Sequence, residues 1–302
     1  MSATRHRRRF LASAAAAAAG AALALPGLAL AAGFQSDRIT VRTEGSGPDV
    51  ILIPGMNSSP RAWATTVAAL PGYRYHIVQL AGFAGLPSGG NRAGEVSAPV
   101  AEEIARYIRA AGLSRPAVVG HSMGGTIGLM LAARHPDALS RLMVVDMFPF
   151  LGLMFGGPAA TPASLQPMAD KVSASMRGLA PEDRVARATT TIAGMVNSAA
   201  FRAGAIEDAA ASDPDVTARS YRELIVTDLR PELPRIAVPT TVLYVQPKGA
   251  PLTEAQLDAF YQGAYAGLKG VELKRIPDSA HFIMWDQPLR FQAELRAFLK
   301  PA

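Results

Sequence analysis

A serine held between two glycines is the residue of this chain best suited to act as a nucleophile. Ser122 lies in the stretch Gly120-His-Ser-Met-Gly124. The apolar residues 116–119 before it are typical of a short buried strand, and residues 126–134 after it have the apolar content of a helix. A strand that turns this sharply into a helix needs glycine at both flanking positions, because a Cβ there would collide with neighbouring backbone. The pattern predicts an exposed serine hydroxyl at the tip of a strained turn, which we call the elbow.

The strand, elbow and helix make the chain resemble the α/β-hydrolase family, and the resemblance extends from about Arg38 to Leu299. It implies a fold of class α/β: a mostly parallel, doubly wound sheet with helices on both faces and a helical cap inserted. Apolar or alternating runs bounded by turn-forming residues predict the strands of that sheet. These runs are residues 38–43, 49–53, 73–80, 116–119, 139–145, 240–245 and 271–276.

The regular alternation of strands and helices stops in the middle of the chain. Helical patterns without a strand between them predict a cap at residues 148–233, inserted in a core of residues 33–147 and 234–302. Caps of this kind cover an active site and exclude water from it. Two aromatic residues near the predicted mouth, Phe83 and Phe148, are predicted to touch substrate. The alternatives are a mobile glycine-rich loop for Phe83 and packing inside the cap for Phe148.

The resemblance also implies roles for residues around the serine. His281 follows the last predicted strand, where the family carries the general base, an imidazole that takes the serine proton. Two backbone amides would stabilise the oxyanion of the reaction, one from Met56 after Pro54-Gly55 and one from Met123 directly after the serine. Many relatives have His-Gly at the first of these loops, and the proline of this chain departs from that pattern.

The acid that should orient His281 is missing from its usual place. The family commonly carries an acid followed by Pro-Leu, and this chain has Ala250 before Pro251-Leu252. Some relatives carry the acid at the end of the strand that follows the elbow helix, and Asp146 stands there. We therefore predict Asp146 as the third residue, since an acid must hold the imidazole in the right tautomer. Glu254 and the absence of any acid are the alternatives.

Composition limits the classes of partner. The chain has 302 residues, of which 49% are hydrophobic, so it can bury a large core. Of its formal charge of +6, four units come from arginines before the first acidic residue, Asp37; the remainder has 26 basic against 24 acidic residues, or +2. No run of basic residues follows Arg9, which argues against nucleic-acid binding. The absence of cysteine excludes disulfides and thiolate metal sites.

Residues 1–32 are predicted to be an export signal. A basic start, an alanine-rich apolar run and the small-residue site Ala29-Leu30-Ala31 indicate a cleaved signal peptide. The run Arg7-Arg8-Arg9-Phe10-Leu11 is similar to a twin-arginine signal. A transmembrane anchor is the alternative, although Gly20 and Pro26 interrupt the run. We expect a periplasmic or secreted protein without a stable membrane anchor after cleavage.

Together these features predict a serine hydrolase that cleaves carboxylic esters of small molecules with an apolar acyl or alcohol group. No metal or organic cofactor is implied. Two alternatives remain at this level. The same residues could hydrolyse amides or carbon–carbon bonds or support cofactor-free perhydrolysis, or the chain could be a non-catalytic binding protein that keeps the fold.

Overall fold

A mostly parallel sheet forms the centre of the protein. The computed structural model describes residues 34–246 and 252–300, so the predicted export signal and Ala250 lie outside the described residues. The seven strands of the described ranges follow the order β1-β3-β2-β4-β5-β6-β7, and only β1 runs antiparallel to its neighbour. This confirms the predicted fold class. The strands are β1 (Ile39–Gly45), β2 (Asp49–Ile53), β3 (Arg74–Leu80), β4 (Ala117–His121), β5 (Arg141–Val145), β6 (Thr240–Gln246) and β7 (Glu272–Pro277).

Helices cover both faces of the sheet, which explains why its central strands are apolar without interruption. Along β2, Ile51 and Ile53 face one apolar cluster, whereas Val50 and Leu52 face the other. The helices are α1 (Ala64–Ala69), α2 (Ser97–Ala110), α3 (Met123–Arg134), α4 (Leu153–Gly156), α5 (Pro162–Arg177), α6 (Pro181–Met195), α7 (Ala199–Ala210), α8 (Pro214–Val226), α9 (Glu254–Ala264), α10 (Ile283–Asp286) and α11 (Pro288–Leu299). In the described ranges, none of them is long and apolar enough to span a membrane.

Five of these helices, α4 to α8, lie between β5 and β6, within the segment predicted as a cap. A buried carboxylate joins one of them, α8, to the core. Glu223 of α8 accepts hydrogen bonds from the backbone N–H groups of Val96 (2.7 Å) and Ser97 (3.0 Å), where α2 begins. The first N–H groups of a helix have no partner within the helix, so this carboxylate satisfies donors that burial would leave unpaired. The contact fixes α8 against the sheet domain.

Candidate active site

The elbow has the strained geometry that its glycines predict. Ser122 connects β4 to α3 with φ 54° and ψ −124°, a region that L-residues rarely adopt. A Cβ on Gly120 would collide with the carbonyl of Gly124, and one on Gly124 would collide with the carbonyl of Ile53. The backbone N–H of Ser122 donates to the carbonyl of Val145 at 2.9 Å. The turn is therefore compressed between the ends of β2 and β5, and the serine is its only partly exposed residue from Gly120 to Gly124.

The loop after β2 lies directly against the serine. A Cβ on Gly55 would stand 3.1 Å from the Cβ of Ser122, so the next residue, Met56, is brought beside that serine. Met56 and Ser122 line the same cavity. Met123 is the first residue of α3, where backbone N–H groups have no acceptor within the helix, and its side chain is buried in the core. The two predicted oxyanion residues thus flank Ser122 from separate elements.

A short hydrogen bond joins the predicted base to the predicted acid. His281 Nδ1 donates to Asp146 Oδ2 at 2.6 Å, and the side chains are 21% and 10% exposed. Asp146 directly follows β5 in a left-handed conformation (φ 52°), and its other oxygen, Oδ1, accepts from Val245 N–H at 3.2 Å and from the Tyr261 hydroxyl at 3.3 Å. With both carboxylate oxygens engaged, the imidazole is held by an acid that is itself held in place.

A second histidine lies beneath the first. The rings of His121 and His281 have centroids 4.6 Å apart, and His121 Nε2 donates to the main-chain carbonyl of His281 at 3.0 Å. His121 is fully buried, and burial lowers its pKa well below the usual range, because a charged imidazole would lose its contact with water; a proton on nearby His281 would act in the same direction. His121 is therefore neutral, and its hydrogen bond restrains the backbone from which His281 projects.

The loop that carries His281 is also tied to the cap. Asp286 accepts hydrogen bonds from the backbone N–H groups of Ala280 (2.9 Å), Asn197 (3.0 Å) and Ser198 (2.9 Å). Asn197 and Ser198 lie between α6 and α7. The sequence motifs predict neither Asp286 nor Tyr261 as part of the site. The spacing of Tyr261, on α9, and Tyr265, the residue that caps the C-terminus of this helix, is a usable signal, because residues four apart share a helix face.

A cavity of about 240 Å³ opens onto Ser122 and His281. The core side of its wall is the loop after β2 with Phe282 and Trp285, and the remainder comes from the cap. Most of the cap residues that line it are apolar or small: Met176, Leu179, Ala188, Ile192, Met195, Ala205, Ala209 and Pro214. Such a wall suits the apolar part of a small organic molecule. Charged side chains also reach it, notably Arg184 and Arg187 of α6.

Three residues considered for the site from the sequence lie outside it. Phe83 is fully buried in the core, and Phe148 stacks on Tyr261 with centroids 4.4 Å apart; neither is among the residues that line the cavity. Both rings are instead enclosed by the packing that surrounds the ends of β3 and β5. Glu254 is 66% exposed and pairs with Arg275 at 2.7 Å, away from His281, whose acidic partner is Asp146. Among residues 34–246 and 252–300, no group of three or more His, Asp or Glu side chains could hold a metal ion.

Known proteins share this architecture. A family model described as "Alpha/beta hydrolase family" matches residues 50–295. The chain belongs to the alpha/beta hydrolase family. A pimeloyl-(acyl-carrier protein) methyl ester esterase of Vibrio atlanticus is 28% identical over 70% of this chain and 80% of its own. The enzyme of that name from Pectobacterium carotovorum is 25% identical over 85% of this chain and 96% of its own.

A solved structure gives the same fold. The esterase from Exiguobacterium antarcticum superposes with a TM-score of 0.72 at 21% identity, covering 87% of this chain and 96% of the esterase. At that identity the similarity supports the fold and does not by itself transfer an activity. The function therefore depends on the residues that surround Ser122.

Proposed function

We propose that the protein is a serine hydrolase that cleaves carboxylic esters through an acyl-enzyme. The observation that carries the proposal is the 2.6 Å hydrogen bond between His281 Nδ1 and Asp146 Oδ2, beside a cavity that also contains Ser122. Nδ1–H is committed to the acid, so Nε2 is the nitrogen left to accept the serine proton. The two relatives from Vibrio atlanticus and Pectobacterium carotovorum, whose names describe them as esterases, support ester cleavage.

In the proposed reaction, Ser122 Oγ forms a bond to the ester carbonyl carbon while His281 takes its proton. The oxyanion accepts hydrogen bonds from the N–H groups of Met56 and Met123, which need no reorganisation as the charge develops. Collapse breaks the bond to the alkoxy group, which leaves as an alcohol with the proton from His281. Water then attacks the acyl-enzyme by the same route, releasing the acid and restoring Ser122.

The hydrogen bond between Asp146 and His281 weakens the main reason to consider a non-catalytic binding protein. That alternative was suggested by Ala250, which left His281 without an acid at the usual position. Asp146 supplies a carboxylate to the same imidazole from β5. A ligand-binding protein has no need of a carboxylate that is held by two further hydrogen bonds and that pairs with a histidine in the same cavity as a strained serine, so we favour the enzyme.

A fluorophosphonate probe tests the proposal, because it phosphonylates only an activated serine. We expect covalent labelling of the folded protein at Ser122, found by peptide mapping, and turnover in a series of p-nitrophenyl esters of increasing acyl length. Ser122→Ala should lose both. A folded protein that takes up no probe at Ser122 and hydrolyses no ester would support the binding-protein alternative. Probe labelling without ester turnover would favour amide, carbon–carbon or perhydrolase chemistry.

We also propose that the protein is exported and acts in the periplasm or outside the cell. The support is the sequence pattern of residues 1–32, with its arginines and its Ala-x-Ala site. Cell fractionation combined with N-terminal sequencing tests this proposal. We expect the protein in the periplasmic or medium fraction with an N-terminus close to Ala32, and retention in the cytoplasm at full length would contradict it.

A further inference from the structure

Two arginines in the cavity wall differ from every other arginine of the cap segment 148–233. Arg184 and Arg187 of α6 line the cavity that contains Ser122, and within the described ranges neither guanidinium has a hydrogen-bond or ion-pair partner. Each of the other five arginines of the segment contacts a carboxylate or a main-chain carbonyl. These five are Arg177, Arg202, Arg219, Arg222 and Arg230.

The two positive charges are close to one another. Arg184 and Arg187 are three residues apart on one helix, so their side chains share a face, and like charges in that arrangement repel each other. The carboxylate of Asp208, which also lines the cavity, does not neutralise them. Its Oδ2 accepts hydrogen bonds from the hydroxyl (2.6 Å) and backbone N–H (3.2 Å) of Ser59, and its Oδ1 lies 3.8 Å from Arg61.

The cavity wall also contains a hydroxyl group, that of Tyr221. Burial raises the pKa of this hydroxyl, and the positive charge of Arg187 acts in the opposite direction. Tyr221 is half-buried and lines the cavity from α8. The wall therefore offers an anion three groups that donate hydrogen bonds, one hydroxyl and two guanidinium groups.

We propose that Arg184 and Arg187 bind a carboxylate carried by the substrate, remote from the ester bond that is cleaved. This inference rests on the proposed function and narrows it from neutral esters to carboxylate-bearing esters. Guanidinium groups match the planar, two-oxygen geometry of a carboxylate, and a bound anion would remove the repulsion between the two side chains. The apolar residues that line the same cavity suit the hydrocarbon chain that links the two ends of such a molecule.

The first test compares matched substrates. Monomethyl esters of the dicarboxylic acids from succinic to azelaic are hydrolysed alongside the methyl esters that carry a terminal primary amide in place of the carboxylate. We expect kcat/KM to favour the carboxylate by about fivefold or more at the best chain length, since charge-assisted hydrogen bonds exceed neutral ones. The preference should fall as ionic strength rises, because both partners are partly exposed to screening.

Substitutions test whether the two arginines cause the preference for the carboxylate substrate. Arg184→Gln and Arg187→Gln should each reduce the ratio of carboxylate to amide hydrolysis, and the double variant should bring it to about one. Arg177→Gln is the matched control, because Arg177 belongs to the same cap segment and pairs with Asp215 instead of lining the cavity. The inference is overturned if the parent shows no preference, or if the preference persists in the double variant.

A binding measurement separates this inference from the proposed function. In the Ser122→Ala protein, isothermal titration calorimetry with monomethyl adipate and its amide counterpart reports affinity without turnover. Tighter binding of the carboxylate that disappears with Arg184→Gln/Arg187→Gln supports the anion site, even where the parent hydrolyses no ester. Equal binding of the two compounds together with normal hydrolysis of neutral esters rejects the anion site and leaves the hydrolase intact.

Discussion

Asp146 is the residue on which the proposed activation of Ser122 depends. Asp146→Asn keeps the size of the side chain but replaces the carboxylate that accepts from His281 Nδ1 at 2.6 Å. We expect kcat/KM for esters to fall by about 10³-fold or more, because the imidazole loses its enforced tautomer and its stabilised cation. Glu254→Gln is the control, with a change within about twofold, since Glu254 pairs with Arg275. Near-parent activity in Asp146→Asn would assign the acid elsewhere.

Tyr261 acts one step further from the reaction, as a positioning residue. Its hydroxyl donates to Asp146 Oδ1, while its ring stacks on Phe148 and Tyr244 with centroids at 4.4 and 4.0 Å. Tyr261→Phe keeps the stack and removes the donor, so we expect kcat to fall by about threefold to tenfold, the cost of one hydrogen bond. KM should stay unchanged, because the hydroxyl lies behind the acid and away from the cavity wall.

The same stack contains the control for that substitution. The Tyr244 hydroxyl donates to Asp258 at 2.7 Å and has no contact with Asp146 among the described residues. Tyr244→Phe therefore perturbs the ring packing equally and should leave kcat within about twofold of the parent, since no hydrogen bond to the acid is lost. Equal losses in the two variants would show that Tyr261 acts only through packing.

At the scale of elements, the elbow is set by backbone contacts that allow no side chain. Gly120→Ala would drive a Cβ into the carbonyl of Gly124, and neither backbone can move without shifting β4 or α3. We expect a loss of about 2 kcal/mol or more in unfolding free energy, or failure to fold, as in other overpacked sites. Gly194→Ala in α6 meets no atom within 4 Å and should instead stabilise by about 0.5–1 kcal/mol. Chemical denaturation of both variants measures the contrast.

The elements that could be predicted from the sequence are those fixed by local rules. The steric demand at Gly120 and Gly124 predicts the elbow. The prediction of Asp146 as the acid instead rests on the resemblance to the family, in which some members carry the acid after the strand that follows the elbow helix. Phe83 could not be placed, since its loop has no periodicity that separates an inward from an outward ring. The contacts of Asp286 join distant segments of the chain, and no spacing in the sequence specifies them. The spacing of Tyr261 and Tyr265 predicts a shared helix face but does not identify Asp146 as the partner of Tyr261.

At the scale of the whole molecule, buried histidines make stability depend on pH. Burial lowers the pKa of His121 well below its usual 6.5, and it also lowers the pKa of His76 despite the opposing contact with Asp49. Below pH 6.5 the unfolded chain binds protons at these positions that the folded protein binds less readily, so unfolding becomes easier as the pH falls. Glu223 acts in the opposite direction above its usual 4.5, because burial raises its pKa.

We therefore expect the unfolding free energy to fall by about 2 kcal/mol between about pH 7 and about pH 5.5, the range in which two unfolded histidines become protonated. Denaturant titrations at constant ionic strength measure the change. His121→Gln removes the more strongly shifted group, so this variant should lose about half of the pH dependence whatever its absolute stability. The pH dependence that remains in this variant belongs to His76, and replacing that residue as well should leave little of it.

A stability that is constant or rises on acidification would mean that His121 takes up a proton in the folded protein. It would then be a cation beside His281 and would oppose the protonation of that base during catalysis, whereas a neutral His121 leaves the base free to take the proton from Ser122.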